Sequence, residues 1–84
     1  MKKIGLIGGI TWQSTLLYYQ YLNEETAKAL GGKHSSKCLI ESVDFADISE
    51  KQTKGQWDIL NKDFAEMAHK LEQAGAEVLL ICAN

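Results

Sequence analysis

The sequence contains no arginine and no proline, and its only cysteines are Cys38 and Cys82. Without arginine it lacks the planar, bidentate guanidinium that usually grips a carboxylate. Recognition of an acidic ligand would then rest on amides, hydroxyls, backbone N–H groups or lysine. Two cysteines are too few for a disulfide scaffold, so reduced thiols in a reducing compartment are expected. Nor does any apolar run approach the roughly eighteen residues of a membrane-crossing helix. The opening "MKKIGLIGGI" has a charged start, but three glycines interrupt its apolar part and an amphipathic stretch follows. It reads as a buried strand and not as an export signal. Net charge is small: nine basic residues, all lysine, stand against eleven acidic ones, for a net charge of -2. That balance gives no electrostatic footprint for nucleic acid or for an anionic membrane. A soluble, cytoplasmic protein is the expectation.

What is present is the material for one small core. Eighty-four residues with 45% hydrophobic content suffice for a single domain over 1–84, in which about 60% of the unfolded surface is buried. "KIGLIG" (Lys3 to Gly8) is an apolar run of strand length closed by glycines, as for a strand covered on both faces. From Trp12 to Leu30, Leu16, Leu17, Tyr19, Leu22, Thr26, Ala27 and Leu30 recur at helical spacing. Thr11 or Ser14 could cap this helix, and Gly31-Gly32 could end it in the left-handed conformation. "KCLIESV" (Lys37 to Val43) predicts a second strand, after which Asp44 could cap the short helix "FADISEKQ". Beyond Gly55, the residues Trp57, Leu60, Phe64, Met67, Ala68, Leu71 and Ala74 form one stripe of a third helix, stopped by Gly75. "EVLLIC" predicts a third strand.

The resulting order, β-α-β-α-α-β, is that of an α/β fold with right-handed crossovers, a parallel sheet flanked by helices and the first strand central. Ligands of such sheets bind outside the carboxyl ends of the strands. Three chain segments lie there: Gly8 to Thr11, Asp44-Phe45, and Cys82-Ala83-Asn84. The glycines after the first strand invite a dinucleotide reading, but their spacing is G-x-x-G-G, without the G-x-G-x-x-G pattern or an acid about twenty residues on. Backbone N–H groups, Thr11, Ser14 and Thr15 instead suit a small anion. Each cysteine sits in an apolar strand, where a buried, inert thiol is the ordinary outcome. His34 falls in a loop and His69 on the polar side of the third helix, neither with a partner at metal-ligand spacing. Trp12 and Trp57 read first as packing residues, and Gln52 as a surface amide.

Taken in order, "KIGLIGGITWQSTLLYY", "LGGKHSSKCLIESVDFADI", "GQWD" and "AGAEVLLICAN" resemble the N-terminal portion of the aspartate/glutamate racemases, a family of cofactor-independent amino-acid racemases. The resemblance runs through the whole chain but covers about a third of a family-length protein. It implies one lobe of a two-lobe fold, an isomerase without pyridoxal phosphate or another cofactor, and a thiolate/thiol pair that removes and returns the α-proton of an acidic amino acid. It also implies that each lobe supplies one acid/base group, the first lobe's standing directly before an Asn-Thr pair. The residue before Asn84 is Ala83, so that position holds a methyl group that can neither take nor give a proton, and Cys82 aligns with a structural cysteine. By the same resemblance Gly9, Ile10 and Thr11 line the substrate site, Gln52 hydrogen-bonds a substrate carboxylate where relatives place arginine, and Asn84 binds the α-carboxylate or amine. The implied partner is a small acidic amino acid or dicarboxylate. With Ala83 in place and a second lobe lacking, these 84 residues alone are expected to be inactive. Single-cysteine isomerase or lyase chemistry, and a dicarboxylate-binding or assembly module without catalysis, are the alternatives. The uncovered third strand is expected to favour a homo-oligomer such as a dimer.

Overall fold

The computed structural model describes residues 1–82. It contains β1 (Ile4–Gly8), α1 (Trp12–Leu30), β2 (Cys38–Ser42), α2 (Phe45–Thr53), α3 (Trp57–Gln73) and β3 (Val78–Ile81). The three strands form one sheet in the order β2-β1-β3, and both pairings of β1 are parallel. The expected element order, α/β class and central first strand are therefore present. Each strand is one or two residues shorter than its apolar run, although the Glu77 N–H on the Lys3 carbonyl and the Cys82 N–H on the Ile7 carbonyl carry the hydrogen bonding one residue past each end of β3.

Local chemistry accounts for the element boundaries. The Asp44 carboxylate accepts the Ala46 N–H at 3.0 Å and so caps α2. Thr11 occupies the N-cap of α1, but its side chain makes no capping bond. Gly31 does end α1, yet at φ 112° and ψ 157° it is extended in the positive-φ half of the map, not left-handed helical. The Gly31 N–H still donates to the Ala27 carbonyl at 2.8 Å.

The two faces of β1 are covered differently. On one face Ile7 joins Leu71 and Ala76 in the core, with Leu39, Phe64, Met67 and Ala68 packed against them. The absence of a side chain at Gly5 lets α3 approach: a Cβ there would lie 2.9 Å from Ala76 Cβ and 3.3 Å from Leu71 Cβ. On the other face Gly8 receives Thr15 of α1, where a Cβ would lie 2.6 Å from both Thr15 Cγ2 and Oγ1. Helices α1 and α3 thus lie on opposite sides of the sheet.

The α1 stripe departs from the sequence-based expectation. Its buried residues are Ser14 and Thr15, whereas Leu16, Leu17, Tyr19 and Leu30 are exposed. Trp12 and Trp57, expected to pack, are also more than half exposed. The cause is the narrow three-stranded sheet. Small hydroxyl side chains fill the close groove above Gly8, while Leu22, Thr26 and Ala27 of the expected stripe are partly buried further along the helix.

Candidate functional site

A site in this fold is positioned by the carboxyl ends of its strands. Parallel register sets Gly8 opposite Ser42 and Ile7 opposite Ile81, so the turns after all three strands emerge at one edge. Helices on opposite faces make the gap between β1 and β3 a topological switch point, where open α/β sheets receive ligands.

The turn after β1 is held on three sides. The Gly8 carbonyl accepts the Val43 N–H at 2.8 Å, which continues the β1–β2 ladder past the strand end. Gly9 has φ +88°, a conformation L side chains rarely adopt. A Cβ there would also collide with the Val43 backbone, its N at 2.6 Å. The buried Gly9 N–H donates to Thr15 Oγ1 at 3.0 Å. The Thr11 carbonyl accepts the N–H groups of Ser14 and Thr15, starting α1. The N–H groups of Ile10, Thr11, Trp12 and Gln13 make no hydrogen bond among the described residues. Those donors, with the positive end of the α1 dipole, favour a small anion. Ile10 and Thr11 are partly exposed and therefore accessible.

Cys82 follows β3, and its N–H donates to the Ile7 carbonyl at 2.8 Å. Its side chain is completely buried, and burial pushes its thiol pKa up. A proton-abstracting thiol requires the opposite shift, so Cys82 has the environment of a packing residue. Cys38, half-buried at the start of β2, is shifted the same way for the same reason. Ala83 and Asn84 lie outside the described residues.

Gln52 is exposed in the last turn of α2, and no hydrogen bond joins it to Gly9, Ile10 or Thr11 among the described residues. Helix α2 packs on α3, where Lys51 pairs with Asp63. That hydrogen bond raises the Lys51 pKa. Between α2, α3 and the end of β2 lies a cavity of about 270 Å³, which includes none of Gly9, Ile10, Thr11 and Gln52. Its walls carry Glu41, Asp44, Asp47, Asp63 and Glu66 against Lys51 and Lys70. Five carboxylates facing two ammonium groups, one already paired, repel a dicarboxylate. The turn after β1 is the better anion site.

The sequence placed Thr15 with Thr11 and Ser14 among groups suited to a small anion, whereas its buried hydroxyl instead accepts the Gly9 N–H and holds this turn. The signal was present in the hydroxyl-bearing pair Ser14-Thr15 just inside a helix that follows two glycines.

Fold and turn together define an α/β lobe that presents backbone donors at a β1/β3 switch point. Residues 7–84 match the Asp/Glu/hydantoin racemase family, and the chain belongs to that family. Among solved structures it is similar to a candidate Asp/Glu racemase from Yersinia pestis, with a TM-score of 0.95 and 44% identity over 100% of this chain. It is likewise similar to PH1733, an aspartate racemase homologue from Pyrococcus horikoshii OT3, with a TM-score of 0.86 and 36% identity over 100% of this chain. The chain spans 36% of the length of each of those two proteins.

Proposed function

We propose that these 84 residues form one lobe of a cofactor-independent racemase of an acidic amino acid, and that this lobe binds substrate without supplying a proton-transfer group of its own. The observation that carries the reading is the family match over residues 7–84, a stretch that includes the donor-bearing turn Gly9–Thr11. In this reading the free N–H groups of the turn and the Thr11 hydroxyl receive a substrate carboxylate, with Gln52 and Asn84 supplying amide donors in place of arginine. Ala83 occupies the acid/base position.

Racemisation without a cofactor requires a base on one face of Cα and an acid on the other. The α-proton is weakly acidic, so fixed donors must stabilise the negative charge that develops on the carboxylate as the proton leaves. Backbone N–H groups clamped by their surroundings are suited to that task, because they need not reorganise during the reaction. The alanine methyl at position 83 can do neither half of the proton transfer, and the buried Cys82 thiol is protonated and shielded. Both the base and the acid would then come from residues beyond the 36% of a relative's length spanned here. The extensive exposed apolar surface favours a second reading, an assembly or dicarboxylate-binding module without catalysis.

Proton NMR in heavy water tests the proposal. L- and D-aspartate are expected to keep their Cα protons in the presence of the 84-residue chain, while added aspartate raises its melting temperature. Washout of the Cα proton by this chain would remove the inert role given to Ala83. A melting temperature indifferent to aspartate but rising with protein concentration would favour assembly.

A further inference from the structure

We infer that Thr15 is a positioning residue for the anion-binding turn: its hydroxyl ties down the Gly9 N–H so that the donors of Ile10 and Thr11 are the ones offered to a carboxylate. The inference rests on the binding role proposed for that turn. Three observations support it. Thr15 is buried, 8% exposed, on the first turns of a helix whose other buried residue is Ser14. Its Oγ1 accepts the buried Gly9 N–H at 3.0 Å, and its methyl faces the bare Cα of Gly8, where a built Cβ would lie 2.6 Å away. The opposite side of the same turn is fixed by the Val43 N–H on the Gly8 carbonyl.

Because of this arrangement, one side chain sets both where α1 sits over the sheet and which way the turn faces. Threonine is suited to both tasks, since branching at Cβ restricts χ1 and aims the hydroxyl. If the hydroxyl is removed, the Gly9 N–H becomes a buried donor without a partner. The turn then rotates to recover a hydrogen bond, and the neighbouring N–H groups move with it. Gly9 tolerates that rotation because glycine has low barriers between backbone states. The loss should therefore fall on ligand binding more than on the fold.

The test compares Thr15→Val, which keeps the shape and removes the acceptor, with Thr15→Ser, which keeps the acceptor and removes the methyl. Thr26→Val is the control: it deletes a hydroxyl that bonds the Leu22 carbonyl at 2.8 Å on the same helix, away from the turn. L-aspartate is titrated into the ¹⁵N-labelled 84-residue chain, and the amide signals of Gly9, Ile10 and Thr11 are followed. Hydrogen exchange at Gly9 is measured without ligand. The inference expects slow Gly9 exchange in the parent chain that becomes fast in Thr15→Val, and aspartate affinity about five- to tenfold weaker in that variant. Thr15→Ser and Thr26→Val should stay within about twofold of the parent. Equal affinity for Thr15→Val and the parent would overturn the inference while leaving the binding role of the turn intact. A parent Gly9 amide that exchanges like an unprotected one would also overturn it. A parent chain whose turn signals do not respond to aspartate would remove the binding role itself, and this inference with it.

Discussion

Cys82 sits where a reactive thiol would be sought, one residue past a strand's carboxyl end, yet every physical indicator opposes reactivity. The side chain has no exposure, and desolvation raises its pKa. Near neutral pH, iodoacetamide followed by peptide mapping should modify the partly exposed Cys38 first and leave Cys82 untouched until the protein is unfolded. The raised pKa also fixes the sign of a pH effect. The folded state favours the neutral thiol, so its contribution is fully present below the unfolded thiol pKa and is lost as pH rises through the folded value. Urea midpoints should therefore fall more steeply above the ordinary thiol range for the parent chain than for Cys82→Ala. The sequence already favoured a buried cysteine here, since an apolar strand surrounds it. What it could not reveal was that Thr15 turns its hydroxyl to the Gly9 N–H, because that hydrogen bond depends on how closely α1 lies on the sheet.

At the scale of elements, punctuation was more legible than packing. Glycine pairs bracket α1 and Asp44 starts α2, so these boundaries follow from local chemistry. The α3 stripe also emerged as written in its middle, with Leu60 and Leu71 buried. The α1 stripe emerged only in its second half, at Leu22, Thr26 and Ala27, because periodicity identifies a face able to be covered, whereas the covering depends on how many strands lie beneath it. The Asp44 cap gives a clean test. Asp44→Ala removes the acceptor for the Ala46 N–H and should cost about 1 kcal/mol of stability in urea denaturation. Asp44→Asn, which keeps an acceptor oxygen, should recover most of it.

The whole molecule is a slab. Its principal extents are 47 × 26 × 14 Å and its radius of gyration is 14.2 Å, against about 12 Å for a compact domain of this length. Large apolar side chains lie open on it, among them Leu17, Tyr21 and Ile81 at 66%, 61% and 57% exposure. Strand β3 has β1 on one side only, and all four of its residues are apolar and exposed. Such an edge is a template for pairing with another chain. Analytical ultracentrifugation should detect association that grows with concentration, and Ile81→Lys should reduce it by placing a charge on the edge. This exposure accompanies a chain that spans 36% of the length of its structural neighbours.

The central position of β1 also bears on how the chain is made. Ile4 takes its first partner from Cys38 and its second from Val78, so the strand synthesised first is the last to be enclosed. On a ribosome adding about 5–20 residues per second, the stretch Ile4–Gly8 leaves the tunnel seconds before the segment that completes its ladder. Through that interval the strand that ends up most buried in the sheet is a free edge on a growing chain, and the nascent protein must be kept from its neighbours until β3 arrives.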